Sequence, residues 1–344
     1  MRMFLKKTDL AGLLEHLSRT RQVYVPSGPR FELLSGKPAK QTKIDLNRKT
    51  FFSAKKLFLP AREVLFEFDG KGKTTAMPKP ARIQAPKTVL FGARPCDLNA
   101  IKYMDMVFND DPYYMKKRQA TLLIGVQCTS PQLFDNCYCH YTGTFFADNY
   151  DLLLLHVAGK DSKGGKGGFL VKAGSAEGKR LLATRFFSKS GKSNENQMDE
   201  KLEMLRKQFK KLTKGKIRAE TKINEQAIEA MAQDCYSCTA CTSVCPTCHS
   251  FLIEDELDID RKSGKRVRKW DSCQLKRYTR ISGNVVFRPE RLQRVRQRIY
   301  CKFRYSLEDQ GMMSCTGCGR CIDVCNKKID IFDVFDGNGK EPAK

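Results

Sequence analysis

Residues 235–248 read C-Y-S-C-T-A-C-T-S-V-C-P-T-C. As spacings this is C-x2-C-x2-C-x3-C-P, the bacterial run that holds [4Fe–4S] clusters. Cys315, Cys318, Cys321 and Cys325 repeat the two, two and three spacing near the C-terminus. Three thiolates two residues apart converge on three irons of one cube, and the fourth cysteine is directed to the other cluster. That logic predicts one set from Cys235, Cys238, Cys241 and Cys325. The other is Cys245, Cys315, Cys318 and Cys321. Zinc is the alternative, but zinc motifs usually offer cysteines in separated C-x2-C pairs. Two triplets, each with a fourth cysteine at the same offset, favour iron–sulfur.

Composition sets the frame. The chain has 344 residues, room for two domains, and 41% hydrophobic residues, enough for packed cores. Residues 1–20 read as a charged amphipathic helix rather than a secretory leader. The longest strongly apolar stretch, 152–157, is too short to span a bilayer. The fifteen cysteines therefore point to a reducing compartment, where metal ligation is their default use. A cytoplasmic protein without a membrane span is expected. The net charge of +25 raises nucleic acid as a partner. However, the basic residues are scattered and form no nucleic-acid motif, so a basic face for an acidic carrier or docking protein is the better expectation.

Before the cysteine runs, the chain alternates strand and helix signals. Asp9 stands as N-cap to a helix with Leu10, Leu13, Leu14 and Leu17 on its apolar face. Residues 22–25, 31–34 and 65–68 read as short strands, and 70–87 as a basic loop. T-V-L-F-G-A at 88–93 is a buried strand followed by a helix for which Asp97 is the expected cap, so Cys96 falls on the turn between them. T-L-L-I-G-V-Q at 121–127 repeats the pattern, with Cys128 just beyond. Ligands bind outside the carboxyl ends of such strands. With Cys137 and Cys139 nearby, four cysteines gather at one sheet edge as a candidate further cluster; the alternative is four small buried residues. A strand at 151–157, with His156 buried in it, precedes a glycine–lysine loop at 159–168. Residues 188–196 read as a linker. Met198, Leu202, Leu205, Phe209 and Leu212 then mark an amphipathic helix, and a second helix near 223–233 leads into Cys235.

The expected fold is an α/β N-terminal domain (1–188), a linker with amphipathic helices (189–231), and an expanded, helix-rich two-cluster ferredoxin-like domain (232–344). The long insertion between Cys245 and Cys315 accounts for the expansion, and 333–344 read as a surface segment and frayed end.

Several short stretches carry a resemblance across nearly the whole chain. They are K-K-L-F-L-P-A-R-E-V-L-F-E-F-D (55–69), F-G-A-R-P-C-D (91–97), D-P-Y-Y (111–114), C-Y-C (137–139), C-P-T-C (245–248), W-D-S-C-Q (270–274), F-R-P (287–289) and C-T-G-C-G-R-C (315–321). In these the sequence resembles the iron–sulfur β subunits of cytoplasmic sulfhydrogenase-type NiFe hydrogenases and their relatives, the iron–sulfur subunits of anaerobic sulfite reductase. Cys301–Lys302 resembles the hydrogenase branch. The resemblance implies a subunit that carries electrons between a flavin-containing pyridine-nucleotide subunit, or a ferredoxin, and a catalytic partner. That partner is a NiFe hydrogenase or a sirohaem sulfite reductase.

Two positions depart from the family pattern. Asn326 stands where the second motif usually has proline, and Ser250 where C-P-T-C-x-C usually ends in cysteine. A position that takes Cys in one branch and His in the other behaves as a metal ligand. Cys248, Cys273 and Cys301 are therefore a second candidate extra site, with His249, Ser250 or no protein group as fourth ligand; three structural thiols are the alternative. The sequence shows no Ser–His–Asp set, paired carboxylates, Walker loop or G-x-G-x-x-G fingerprint. An electron-transfer subunit that is not catalytic alone is expected, with two [4Fe–4S] clusters, one or two more, and no flavin. The competing expectation is sulfur, polysulfide or sulfite bound at an open iron near Ser250.

Overall fold

The computed structural model describes residues 3–34, 43–68, 74–76, 83, 85–130, 133–160, 166–189, 192–212, 217, 220–259 and 262–335; the side chains of 74–76, 158–160, 166, 192–199 and 212 lie outside the description. Much of the basic 70–87 loop, the centre of the 159–168 loop and the tail from 336 also fall outside it.

Twelve strands are described: β1 (Met3–Lys6), β2 (Gln22–Ser27), β3 (Arg30–Leu33), β4 (Arg62–Phe68), β5 (Thr74–Ala76), β6 (Thr88–Ala93), β7 (Thr121–Val126), β8 (Leu152–Lys160), β9 (Lys166–Ala173), β10 (Phe187–Lys189), β11 (Phe251–Leu257) and β12 (Gly264–Trp270). Eight form a mixed sheet in the order β10-β1-β9-β8-β7-β6-β2-β3. Its centre, β2-β6-β7-β8, is parallel. β6 and β7 are buried along their whole length, as parallel strands covered on both faces must be. Their period of two divides the core. Leu122, Ile124 and Val126 pack with the helix Leu10–Ser18 on one face. Leu123 packs on the other with Leu98, Ile101 and Met104 of the helix Pro95–Val107.

The N-terminus corrects the sequence reading. Residues 3–6 are a strand, inserted antiparallel between β9 and β10, and only from Leu10 does the chain become an α-helix. Four residues are too few to show a periodicity, and the pairing partners lie more than 160 residues away. Asp9 is at the N-cap but makes no side-chain capping bond. Asp97 is three residues inside its helix, where it accepts from the Arg94 backbone N–H in a capping box. His156 lies in β8 but is exposed.

The described residues of the stretch read as a linker are structured. Residues 187–189 form the sheet's edge strand, and Lys192–Leu212 is a helix. Leu202 and Leu205 are buried against Phe145, Leu155, Val157 and Leu170, which holds this helix on the α/β layer.

A second sheet, β11-β12-β4-β5, takes strands from both halves of the chain. β4 pairs antiparallel with β12, bringing Val64 opposite Val267. Between the sheets, Arg268 is buried and bonded to Glu63 and Asp111. The insertion 246–314 thus contributes a hairpin as well as the helix Arg291–Tyr300. Around that helix and Glu225–Asp234 a further core forms, with Ile228, Met231, Val295, Ile299, Phe303 and Phe332. Val334 and Phe335 are buried in it while Asp333 is exposed, so the last described residues are anchored to the core rather than forming a surface segment.

Candidate metal centre

The two cysteine runs fold alike. In the first, Ser237 and Thr239 have φ of 54° and 68°; in the second, Gly317 and Gly319 have φ of 60° and 71°. Left-handed residues on both sides of the middle cysteine turn the chain around a centre, and a short helix follows in each case, Ala240–Val244 and Arg320–Asp323. The runs differ in surroundings. Cys238 is exposed, whereas Cys315 and Cys318 are buried.

Three cavities are lined by cysteines. The first has Cys235, Cys238, Cys241 and Cys325 in its wall, with Cys321 and Arg298 at one side. A second has Cys245, Cys315, Cys318 and Cys321, again with Arg298. The third has Cys96, Cys128, Cys137 and Cys139, with Cys318 at its edge. Neighbouring cavities therefore share wall residues: Cys321 and Arg298 at one junction, Cys318 at the other.

The third cavity exists because residues 134–139 clamp onto the second cysteine run. Tyr138 N–H donates to the Gly317 carbonyl at 2.7 Å, and Thr144 Oγ1 to the Thr316 carbonyl at 2.7 Å. Lys49 Nζ reaches the Cys318 carbonyl and Asp323, both at 2.8 Å. Cys96 and Cys128 arrive from the carboxyl ends of β6 and β7.

Burial pushes the Cys128 thiol up to about 11 and the Cys315 thiol up to about 12. Such thiols keep their protons until a cation replaces them, so metal binding releases protons here. Cys245 is the opposite case. A hydrogen bond from Cys248 holds it well below the ordinary thiol range against burial, with Lys302 and Arg298 adding to the effect.

Buried cations complete the site. Lys302, in a π-helical turn after the helix Arg291–Tyr300, donates to Thr247 Oγ1 at 2.9 Å. Burial opposes its charge, but Cys245, Cys248 and Cys301 outweigh that and hold it protonated. Arg320 is fully buried, pairs with Asp97 at 2.9 Å and lies close to Cys318 and Cys96. Lys55 sits 4.0 Å over the Trp270 ring and donates to the Cys248 carbonyl at 3.1 Å.

Cys248, Cys273 and Cys301 each lie near enough to Lys302 to act electrostatically on it or feel its charge. Cys248 and Ser250 line a polar cavity with Lys55, Thr242 and Asp271. Cys273 accepts from Gln274 Nε2 at 3.6 Å. His249 is half-buried beside Tyr103 and Phe108, and burial lowers its pKa. Among the described residues, no three His, Cys, Asp or Glu side chains form a group that could hold a single metal ion.

Sequence reading missed the buried cations. Arg294, Arg298 and Lys302 recur every fourth residue, one position before Val295, Ile299 and Phe303, so the basic residues share the apolar face. That periodicity was the available signal.

The residues present fit [4Fe–4S] groups. Each of the three cavities has at least four cysteines in its wall, and the unpaired nitrogens of Arg298 call for a nearby anion. Residues 234–329 match the family model of a 4Fe–4S dicluster domain. The chain is 28% identical over 347 residues to sulfhydrogenase 2 subunit beta of Pyrococcus furiosus, covering 94% of each chain. No solved structure matches it. No helix among the described residues is long and apolar enough to cross a membrane. The chain thus carries a match to a 4Fe–4S dicluster domain in its C-terminal part and is similar along its length to a sulfhydrogenase β subunit.

Proposed function

We propose that this chain is the electron-relay subunit of a multisubunit oxidoreductase of the hydrogenase type. On this reading it stands between a flavin-containing pyridine-nucleotide subunit, or an acidic ferredoxin, and a catalytic partner. The observation that carries it is the row of three cysteine-lined cavities joined by shared wall residues. When bound, [4Fe–4S] groups supply reversible one-electron storage.

The chain's own residues supply ligation, charge and exclusion of water. Cys235, Cys238, Cys241 and Cys325 are the ligands of the first group; Cys245, Cys315, Cys318 and Cys321 those of the second; Cys96, Cys128, Cys137 and Cys139 those of a third. Ile331 and Phe332 wall the second cavity, and Phe134 and Phe145 the third. The first lies nearest solvent, with Cys238 and Tyr236 exposed, and makes the entry or exit for electrons. The basic balance of the chain suits an acidic partner there.

Chemical iron on anaerobically prepared protein tests the assignment. About twelve irons per chain are expected; about eight would leave the Cys96 set as thiols, and about sixteen would add a group at Cys248, Cys273 and Cys301. An anaerobic pull-down should recover NiFe hydrogenase proteins together with a flavoprotein. A sirohaem protein in their place would move the chain to the sulfite reductase branch.

A second reading, substrate sulfur at an open iron, rests on Ser250 lining the polar cavity beside Cys248. Ser250→Cys should abolish sulfur reduction under this reading. Unaltered activity removes it.

A further inference from the structure

Seven cationic side chains are buried among the described residues: Lys55, Arg94, Arg268, Arg294, Arg298, Lys302 and Arg320. Six have hydrogen-bond partners, carboxylates for two of them and neutral oxygens for the other four, among them the Leu46 carbonyl for Arg94. Arg268 bonds Glu63 and Asp111, and Arg320 pairs with Asp97. Arg294 donates to the carbonyls of Gln274, Arg288 and Pro289. Lys55 donates to the carbonyls of Thr242 and Cys248, and Lys302 to Thr247 Oγ1. Arg298 differs. Its Nε and Nη1 have no hydrogen-bond partner, although the residue is 5% exposed.

An unpaired guanidinium costs several kcal/mol to bury, so a fold keeps one only where an anion offsets it. Arg298 stands in the wall common to the first and second cysteine-lined cavities, close to Cys241 and Cys321. The helix Arg291–Tyr300 fixes it there: Val295 and Ile299 on the same face are anchored in the core with Met231 and Phe332. A cube with four thiolates is net negative, and reduction adds one more negative charge. A fixed cation nearby therefore favours the reduced state.

We propose that Arg298 is a positioning residue whose charge, set between the first two cluster sites, raises the reduction potentials of both. Arg320 stands near Cys318 and Cys96 in a comparable way, but Asp97 neutralises it. The field of Arg298 is uncompensated by any carboxylate. The inference rests on the reading that these cavities hold clusters.

The test uses the full chain, purified anaerobically with its iron, as wild type, Arg298→Gln and Arg298→Lys. Each is titrated with dithionite under potentiometric control and followed by electron paramagnetic resonance, with chemical iron measured in parallel. Arg298→Gln should keep wild-type iron. At the wild-type midpoint its ratio of reduced to oxidised cluster should fall about tenfold, a downshift of about 59 mV for one electron. Both reduction waves should move in this direction, whereas Arg298→Lys should titrate close to wild type.

Loss of iron in Arg298→Gln with retention in Arg298→Lys overturns the proposal, since the charge would then serve to hold the iron rather than to set its potential. Iron-loaded Arg298→Gln with unshifted potentials overturns this inference alone. So does Arg298→Lys shifted as far as Arg298→Gln, or loss of iron in both. Wild-type protein without iron overturns the cluster reading and this inference with it.

Discussion

Gly319 has φ of 71°, and a Cβ there would stand 1.9 Å from the Asn136 carbonyl oxygen. Gly317 is similar, with a Cβ 2.4 Å from the Tyr138 carbonyl carbon. The corresponding positions of the first run, Ser237 and Thr239, carry side chains because no such clamp closes over them. Gly319→Ala should therefore cost at least about 2 kcal/mol, from the left-handed backbone and the collision together. It should also release about four irons per chain by loosening the third cysteine set. Anaerobic denaturant unfolding and iron analysis check both; wild-type values would show that the clamp does not support that set. Arg268 is the second residue on which much depends. It joins β12 to Glu63 of β4 and to Asp111, which caps the helix Pro112–Gln119. Arg268→Ala leaves Glu63 with Lys117 alone and Asp111 with only its helix-capping bond, and should destabilise by about 3 kcal/mol, read from the denaturation midpoint.

At the scale of elements, the helix Lys192–Leu212 shows how packing overrides composition. Polar residues around 188–196 suggest a linker, yet Leu202 and Leu205 bury one face against Phe145 and β8. Leu205→Ala should cost about 2–5 kcal/mol. Met204, 60% exposed on the opposite side, should tolerate alanine within about 0.5 kcal/mol. Equal effects in thermal unfolding would mean the helix is not docked by this face. The helix Arg291–Tyr300 makes the complementary point. Its Arg294 and Arg298 lie on the buried face, Arg298 in the wall of the first cavity.

For the whole molecule, the charge arrangement predicts what iron removal does. Arg298, Lys302 and Arg320 lie buried around the second cavity and its junctions. Without bound clusters Arg298 and Lys302 repel one another at low dielectric, whereas Arg320 keeps Asp97. Chelation under oxidising conditions should therefore cost amide protection chiefly in residues 225–335. The strands β6–β9, whose cores are apolar, should keep theirs. Hydrogen exchange followed by mass spectrometry reads this directly, and uniform loss of protection would show one cooperative unit. The sequence by itself determined the dicluster runs, the strands 88–93 and 121–126, and the helix before Cys235, because cysteine spacing and local periodicity are short-range signals. It also singled out Cys96, Cys128, Cys137 and Cys139 as a set, since the first two follow strands directly. Only the tertiary structure decided that β4 pairs with β12, that 3–6 is a strand, and that 134–139 closes over Gly317 and Gly319. It alone set Arg298 between two cavities. Those features depend on contacts between residues far apart in sequence, and the free energy that selects them is burial and charge compensation, which no local pattern encodes.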